Sequence, residues 1–328
     1  MKKKEAELRY DFLNDDWVIV SPVRGERLNS GAITVGCPFC NIESQEKPLL
    51  VYSNGVKKEI DDLKDWTTIV IPNKYPVLTP NQKCEEEKES SICSIIKSAG
   101  FHELVITNDH EKSLALLPLD HIKEVLTCYQ QRIIAYKKYD FVKNVVVFHN
   151  NGKEAGSSQP HPHSQILTIP LIDKEFRITL ENHKKYFSKS KECLRCRVNE
   201  EEKKFKKRIV SENKDFIAYI PFAPKFTYQT IITPKKHSPR FEEIAEKEKE
   251  NLAKIFKEVL FKFYKGLDNP AYNFYLHTAP LDKKYPYFHW YISVFPRRSV
   301  IAGFEMGAQM EIPSMYPEEQ ALFLRKIK

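Results

Sequence analysis

The same series of sequence features occurs twice in this chain, and that repetition restricts the possible folds more than any other property. Each copy starts with a Cys-x-x-Cys pair, followed by two strand-like segments, the second of which ends at a histidine. A long amphipathic segment, an apolar segment and a last histidine complete each copy. The two histidines are 51 residues apart in the first copy (His110 and His161) and 52 in the second (His237 and His289). Agreement over so many features indicates an internal duplication.

The segments of both copies have the residue patterns of strands and helices. Strand patterns cover 66–72, 103–107 and 144–148 in the first copy and 216–221, 229–233 and 271–276 in the second, and helix patterns cover 121–139 and 246–264. A few strands with one long helix predict an α+β fold, built as a tandem pair of units that each have an antiparallel sheet and a long helix. We expect the first unit at 1–170 and the second at 171–328, joined by a helical segment at 171–190.

Charge and hydropathy restrict the partners and the location of the protein. The chain has 52 Lys and Arg against 44 Asp and Glu, a net charge of +8, which suits anionic small molecules or nucleic acid. It has no clustered basic arm and no recognition-helix motif, so we predict no nucleic-acid partner. No segment approaches the roughly 20 apolar residues of a membrane span, and the N-terminal residues are charged without an apolar core. We therefore expect a cytoplasmic protein without a membrane partner.

The two Cys-x-x-Cys pairs predict metal sites. In a chain without a secretory signal, such pairs are metal ligands more often than disulfides. Thiolates and imidazoles suit zinc, and four protein ligands describe a closed structural site. The alternatives are redox-active or simply packed cysteines, but no thioredoxin-like βαβ pattern surrounds either pair. We predict one or two zinc ions per chain, held by Cys37, Cys40, His110 and His161 and by Cys193, Cys196, His237 and His289.

The segment 156–165 contains the strongest candidate for a catalytic residue. If it is extended, His161, His163 and Gln165 point to the same side, and Pro162 suggests a sheet edge or the mouth of a strand. With His161 as a metal ligand, His163 would be an imidazole held on an anchored element, as a nucleophile requires. The alternative is a surface loop that contains two histidines. In the second copy Tyr291 has the corresponding position, so that copy keeps the metal ligands without the nucleophile.

Several motifs together resemble one known family. They are the segment 9–27 with WVIVSPVRGER at its end, Cys37-Pro38-Phe39-Cys40, Asn73-Lys74-Tyr75-Pro76, the segment 150–165, Ala302-Gly303-Phe304-Glu305 and the segment 317–321. Over most of its length the chain resembles the galactose-1-phosphate uridylyltransferase branch of the histidine-triad superfamily. The resemblance implies two histidine-triad-like units, zinc, a homodimer, and a nucleotide sugar and a sugar 1-phosphate as substrates.

The resemblance also implies a reaction and roles for individual residues. His163 would take a nucleoside monophosphate, UMP in the leading hypothesis, from a nucleotide sugar, and a second sugar 1-phosphate would then accept it. The main-chain carbonyl of His161 would hold the ring of His163 in the required tautomer. Gln165 stands where hydrolytic relatives carry a third histidine, and an amide cannot shuttle a proton to water. Contacts with the substrate or its phosphates are implied for Arg24, Arg27, Asn73, Asn150, Ser158 and Gln165.

Some residues depart from the family pattern and leave alternatives open. The best-known second metal site of the family uses a Glu and three His, for which Glu181, His277 and His289 are candidates, but Tyr291 stands where a further His would be. The pair Cys193 and Cys196 resembles ADP-glucose phosphorylases instead, and we favour that ligand set. In the tail, Ser299 and Phe304 replace a Lys and a Tyr of the galactose enzymes, so the acceptor remains open, as does the base.

Three function classes follow from these observations. The leading one is a nucleotidyltransferase of the uridylyltransferase type. The second is a phosphorylase that acts on ADP-glucose or a diadenosine polyphosphate, with phosphate as the acceptor. The third is a zinc-stabilised binding module for RNA or a protein, which would not need His163 beside a metal-bound His161, nor Arg24 and Arg27. A catalytic zinc hydrolase is disfavoured because four protein ligands leave no position for water.

Overall fold

A computed structural model describes residues 5–22, 24, 36–80 and 84–328. Its strands form two antiparallel sheets, and the larger one has 11 strands. The strands are β1 (Glu7–Asp11), β2 (Asp16–Val20), β3 (Leu50–Ser53), β4 (Val56–Lys58), β5 (Thr68–Pro72), β6 (Glu86–Lys88), β7 (Ser94–Lys97), β8 (His102–Thr107), β9 (Asn144–Asn151), β10 (His163–Ile169), β11 (Ile209–Glu212), β12 (Phe216–Tyr219), β13 (Thr230–Pro234), β14 (Tyr272–His277) and β15 (Tyr291–Pro296).

Six α-helices accompany these strands within the described residues. They are α1 (Leu119–Tyr136), α2 (Lys174–Ser190), α3 (Leu194–Phe205), α4 (Glu246–Gly266), α5 (Gly303–Ala308) and α6 (Pro317–Lys326). The long helices α1 and α4 match the two helices expected from the sequence, and α2 is the expected helical connection. The α+β class, with antiparallel strands and one long helix in each unit, is confirmed.

The large sheet has one face that packs on helices and one that carries the candidate site. Side chains alternate along each strand, so Val145 and Val147 of β9 face the core under α1 and α4. Helix α1 presents buried residues at helical spacing to this face: Ile122, Val125, Leu126, Tyr129, Ile133 and Tyr136. The opposite face carries a separate apolar cluster in which Phe39, from the first Cys-x-x-Cys pair, packs against Leu104 and Ile106 of β8.

The two units share one continuous sheet, whose strand order is β11-β12-β13-β15-β14-β9-β10-β8-β5-β3-β4. Strand β14 of the second unit pairs antiparallel with β9 of the first, with Asn273 opposite Asn150 and Phe274 opposite His149. Gln130 of α1 also donates from Nε2 to the carbonyls of Glu242 (3.0 Å) and Ile244 (2.9 Å) in the second unit. The units are therefore joined by backbone pairing as well as by helix packing.

The structure refines several expectations at the ends of elements. The expected strand at 66–72 begins at Thr68, and β9 extends to Asn151 instead of ending at 148. Strand β10 begins directly after Pro162 and lies between β9 and β8. Pro162 therefore stands at the mouth of a central strand and not at a sheet edge. A proline is tolerated there because it precedes the first paired residue and so removes no hydrogen bond between strands.

A second, four-stranded sheet was not expected from the sequence. Its order is β2-β1-β7-β6, and Leu8 of β1 packs with Ile96 of β7 and with Ile169 at the end of β10. Its strands are three to five residues long and largely exposed, so they lack a clear hydrophobic pattern. Among the described residues, no helix is long and apolar enough to cross a membrane.

Candidate active site

His163 is the first residue of β10 and lies on the face of the sheet opposite α1 and α4. The residue is 5% exposed. Its Nδ1 lies 2.9 Å from the carbonyl oxygen of His161, which can only accept a hydrogen bond, so Nδ1 carries the proton. In a neutral ring Nε2 then keeps its lone pair, which is the tautomer that a nucleophile needs. The ring of Phe39 packs edge-on against the ring of His163, with 5.0 Å between the ring centres.

The structure assembles the first predicted metal cluster. One donor atom from each of its four residues lies within 4.8 Å of the others. The Sγ of Cys40 is 3.2 Å from His110 Nδ1 and 3.6 Å from His161 Nδ1, and the Sγ of Cys37 is 3.5 Å from His161 Nδ1. A tetrahedral zinc ion with ordinary bond lengths would hold sulfur and nitrogen ligands about 3.6 Å apart. The donor set and its spacing therefore fit zinc.

The orientation of His161 fits the role of a ligand as well. Its Nε2 lies 2.7 Å from the carbonyl of Thr107, which leaves Nδ1 unprotonated and directed at the two thiols. Metal-bound histidines typically donate the hydrogen of their other ring nitrogen to a carbonyl or carboxylate in this way. Burial lowers the pKa of His161, which favours the neutral ring that a metal ligand requires. His161 precedes β10 and His110 follows β8, so two adjacent strands carry ligands to the same end of the sheet.

The second cluster is assembled in the same way in the second unit. The Sγ of Cys196 is 3.5 Å from His237 Nδ1 and 3.3 Å from His289 Nδ1, and Cys193 completes the group of four. Cys193 precedes α3, His237 follows β13 and His289 precedes β15. Of the alternative ligands, Glu181 is exposed on α2, and neither it nor His277 belongs to a metal-type cluster among the described residues.

The amide of Gln165 is oriented by His102, a residue for which the sequence predicted no role. His102 Nδ1 accepts from the backbone N–H of Val77 (3.0 Å), so its Nε2 carries the proton and donates to Gln165 Oε1 (2.8 Å). The amide nitrogen of Gln165 is then the end that can donate to an anion. Asn73 lies beside this pair, with its amide nitrogen 3.2 Å from His102 Nε2. His102 begins β8, a strand whose six residues are all buried, and a histidine there needs polar partners.

The other residues predicted to contact phosphate lie in different parts of the chain. Asn150 lies on β9, and its Oδ1 is 2.8 Å from the amide nitrogen of Asn273. Ser158 is exposed in the loop between β9 and β10 and lines a surface cavity of about 750 Å³ that His163 and Gln165 do not line. The backbone N–H of Arg24 donates to the Ser21 carbonyl (3.2 Å), shortly after the end of β2. Arg27 lies outside the described residues.

Both units of the chain match models of known protein families. Residues 1–172 match the family model for the N-terminal domain of galactose-1-phosphate uridyl transferase, and residues 179–326 match the model for its C-terminal domain. The chain belongs to the galactose-1-phosphate uridylyltransferase family. It is an enzyme of the nucleotidyltransferase type, as the resemblance in its motifs implied.

Relatives of two activities are similar to the chain over its whole length. An ADP-glucose phosphorylase of Arabidopsis thaliana is 30% identical over 341 residues, which cover 100% of this chain and 94% of the relative. A galactose-1-phosphate uridylyltransferase of Thermotoga maritima is 30% identical over 330 residues, with 98% of each covered. A solved structure of the Arabidopsis phosphorylase with bound ADP-glucose has a TM-score of 0.78 and 29% identity, and covers 98% of this chain and 99% of its own. A solved uridylyltransferase structure has a TM-score of 0.82 and 28% identity, with 98% of each chain covered.

Aromatic packing fills the position in the second unit that corresponds to His163. Tyr291 stands there, and the guanidinium of Arg195 lies 3.9 Å from the centre of its ring. Arg195 is the third residue of the second Cys-x-x-Cys pair, as Phe39 is of the first, so both pairs cover the corresponding ring. His277 is 5.2 Å from the Tyr291 ring, and Phe176 of α2 packs edge-on against His277 at 5.0 Å. The second unit therefore repeats the metal-type cluster and the covered ring, with Tyr291 in place of His163.

Proposed function

We propose that this protein is a nucleotidyltransferase that moves a nucleoside monophosphate between sugar 1-phosphates through a covalent intermediate on His163. The leading candidate reaction is the transfer of UMP from UDP-glucose to galactose 1-phosphate. The observation that carries the proposal is the hydrogen bond from His163 Nδ1 to the His161 carbonyl (2.9 Å), since it directs the unprotonated Nε2 away from the backbone. A nucleotide sugar and a sugar 1-phosphate are then the substrates.

The reaction would proceed in two displacements at one phosphorus atom. His163 Nε2 attacks the phosphorus next to the nucleoside, a P–N bond forms, and the P–O bond to the sugar 1-phosphate breaks. The ring gains positive charge, which the His161 carbonyl stabilises through Nδ1–H. An oxygen of the second sugar 1-phosphate then attacks the same phosphorus, and the P–N bond breaks. The nucleophile returns unchanged after each cycle.

Donors around His163 would stabilise the phosphoryl oxygens. The register that pairs Ser164 with His149 places His163 opposite Asn150 on the neighbouring strand. Gln165 is two residues along β10, on the same face of the sheet. The amides of Asn150 and Gln165 and the hydroxyl of Ser158 would donate hydrogen bonds to the negatively charged oxygens of the transferred phosphate. Arg24 and Arg27 would bind phosphates through their guanidinium groups. Asn73 is proposed as a further contact with the substrate or its phosphates.

Two zinc ions are proposed as structural elements. Each of the two clusters offers four protein donors, so a bound ion has no position for a substrate or water. The first ion would fix His161, whose carbonyl holds the nucleophile. Because thiolate ligands persist in reducing compartments, the cytoplasm is the proposed location. We also propose the division at 170/171 and a homodimer as the working assembly.

Phosphorolysis of ADP-glucose is the second candidate function. The second metal-type cluster contains Cys193 and Cys196, the pair whose motif resembles ADP-glucose phosphorylases, and one such phosphorylase is 30% identical over the whole chain. In that reaction phosphate replaces the sugar 1-phosphate as acceptor, and AMP is transferred. The same histidine intermediate serves both functions.

Mass spectrometry of the intact protein under non-acidic conditions tests the proposal. The protein is incubated separately with UDP-glucose, ADP-glucose and diadenosine tetraphosphate. We expect an adduct of the mass of UMP that is absent in His163→Ala, while the matched variant His121→Ala, changed on α1 outside both clusters, still forms it. An adduct of the mass of AMP would select the phosphorylase. No adduct from any donor, or turnover in His163→Ala, would refute the histidine intermediate.

A further inference from the structure

The second unit contributes a side chain to the candidate site of the first. Asn273 of β14 stands opposite Asn150 of β9. Its Nδ2 donates to Asn150 Oδ1 at 2.8 Å and to the carbonyl oxygen of Ala155 at 2.9 Å. An amide nitrogen has two hydrogens, so both are used by these contacts. Asn273 thus joins a proposed phosphate donor to the loop that follows it in the chain.

These two contacts determine the orientation of both amides. The Ala155 carbonyl can only accept, which identifies the nearby atom of Asn273 as nitrogen. The same nitrogen must then face an oxygen of Asn150, so the Oδ1 of Asn150 points at β14. The Nδ2 of Asn150 is then the amide atom that does not face Asn273, and β9 lies between β14 and β10, the strand that begins at His163. An amide turned the other way would present an oxygen to a phosphate and repel it.

The start of β14 also shapes the loop that carries Ser158. Ala155 is buried at the end of the short 3₁₀ helix Lys153–Ala155, and Gly156 follows with φ +81°. At the other end of this turn Gly152 has φ +87°, and a Cβ there would lie 2.8 Å from the Cβ of Ala271, the residue just before β14. The second unit therefore contacts this turn at its beginning, through Ala271, and at Ala155, through Asn273.

We propose that Asn273 is a positioning residue for nucleotidyl transfer, acting from the unit that lacks the nucleophile. It turns the Asn150 amide so that Nδ2 donates to the transferred phosphate, and it holds the loop at Ala155. The proposal rests on the proposed function of His163. It resembles the way His102 orients Gln165, but here the orienting side chain comes from the other unit.

The test measures the rate of adduct formation in a single turnover. Asn273→Asp keeps the shape and removes the donor, and Asn273→Ala removes it without adding a charge. Loss of a side chain that orients a metal ligand typically costs about 10- to 100-fold in activity, and by analogy we expect a reduction of that order in the first-turnover rate for both variants. The KM for the nucleotide sugar should change little, because the bond to phosphorus forms after binding.

A matched variant and a double variant separate positioning from general damage. Gln130→Glu also replaces a side-chain amide that donates to two carbonyls between the units, but Gln130 is on α1, on the helix face of the sheet. We expect it to keep the rate of the unchanged protein. We expect the effects of Asn273→Ala and Asn150→Ala not to multiply in the double variant, since both disturb the same donor.

Specific results would overturn the proposal. They are an unchanged rate in Asn273→Asp and Asn273→Ala, an equal loss in Gln130→Glu, or effects of Asn273→Ala and Asn150→Ala that multiply. A slow Asn273→Asp with a normal Asn273→Ala would assign the effect to the added charge and also overturn it. If the unchanged protein forms no adduct with any donor, the proposed function itself fails.

Discussion

His149 should make the stability of this protein depend on pH. The residue is buried on the helix face of β9, where its ring lies parallel to Phe274 (5.1 Å between ring centres, 4° between planes). Its Nδ1 is 3.1 Å from Ser164 Oγ, and its Nε2 has no partner among the described residues. Burial, with a smaller contribution from the charge of His163, lowers the pKa of His149 to about 3.

The size of the effect follows from this pKa. In the unfolded chain a histidine has a pKa of about 6.5. Below that pH the imidazole of His149 is protonated in the unfolded state but stays neutral in the folded state. Stability is therefore lost as the pH falls below about 6.5, and the loss continues down to about 3. Between pH 7 and pH 5 the contribution of His149 amounts to about 2 kcal/mol.

Urea unfolding of the zinc-loaded protein at pH 7 and pH 5 measures this contribution. His149→Gln has no titrating group, so its free energy of unfolding should fall by about 2 kcal/mol less between the two pH values than that of the unchanged protein. His121→Gln is the control for removing a histidine elsewhere. If His149→Gln and the unchanged protein lose the same free energy, the buried neutral state of His149 is refuted.

Three further perturbations have expected results. Gly100→Ala should lower the free energy of unfolding by about 1–3 kcal/mol, because the new Cβ would overlap the Thr168 carbonyl oxygen; unchanged urea unfolding would contradict this. Arg132→Met should cost about 3–5 kcal/mol, because it leaves the buried Glu103 without its two 2.7 Å contacts. Adding Glu103→Gln should recover part of that loss, and no recovery would argue against the ion pair. Cys37→Ser should remove one of two zinc ions per chain, measured by elemental analysis, and lower the melting temperature; full zinc content would exclude the first cluster as a site.

The sequence alone determined the features that depend on short separations or on repetition. The Cys-x-x-Cys pairs, the matched histidine spacing and the two long helices all follow from local patterns, and the structure contains them. The relation between His161 and His163 is also local, since only Pro162 lies between the cluster member and the proposed nucleophile, and the hydrogen bond between the two histidines lies within this segment. Local geometry varies little from fold to fold, which is why these features could be read from the chain.

Only the tertiary structure decided how distant strands align. The pairing of β14 with β9 joins the units and brings Asn273 to Asn150, 123 residues away in the chain. The contact between His102 and Gln165 likewise depends on the register of β8 against β10. A shift of one residue would turn every side chain of a strand to the other face. Register results from the packing of all the strands and helices at once, so no local pattern contains it.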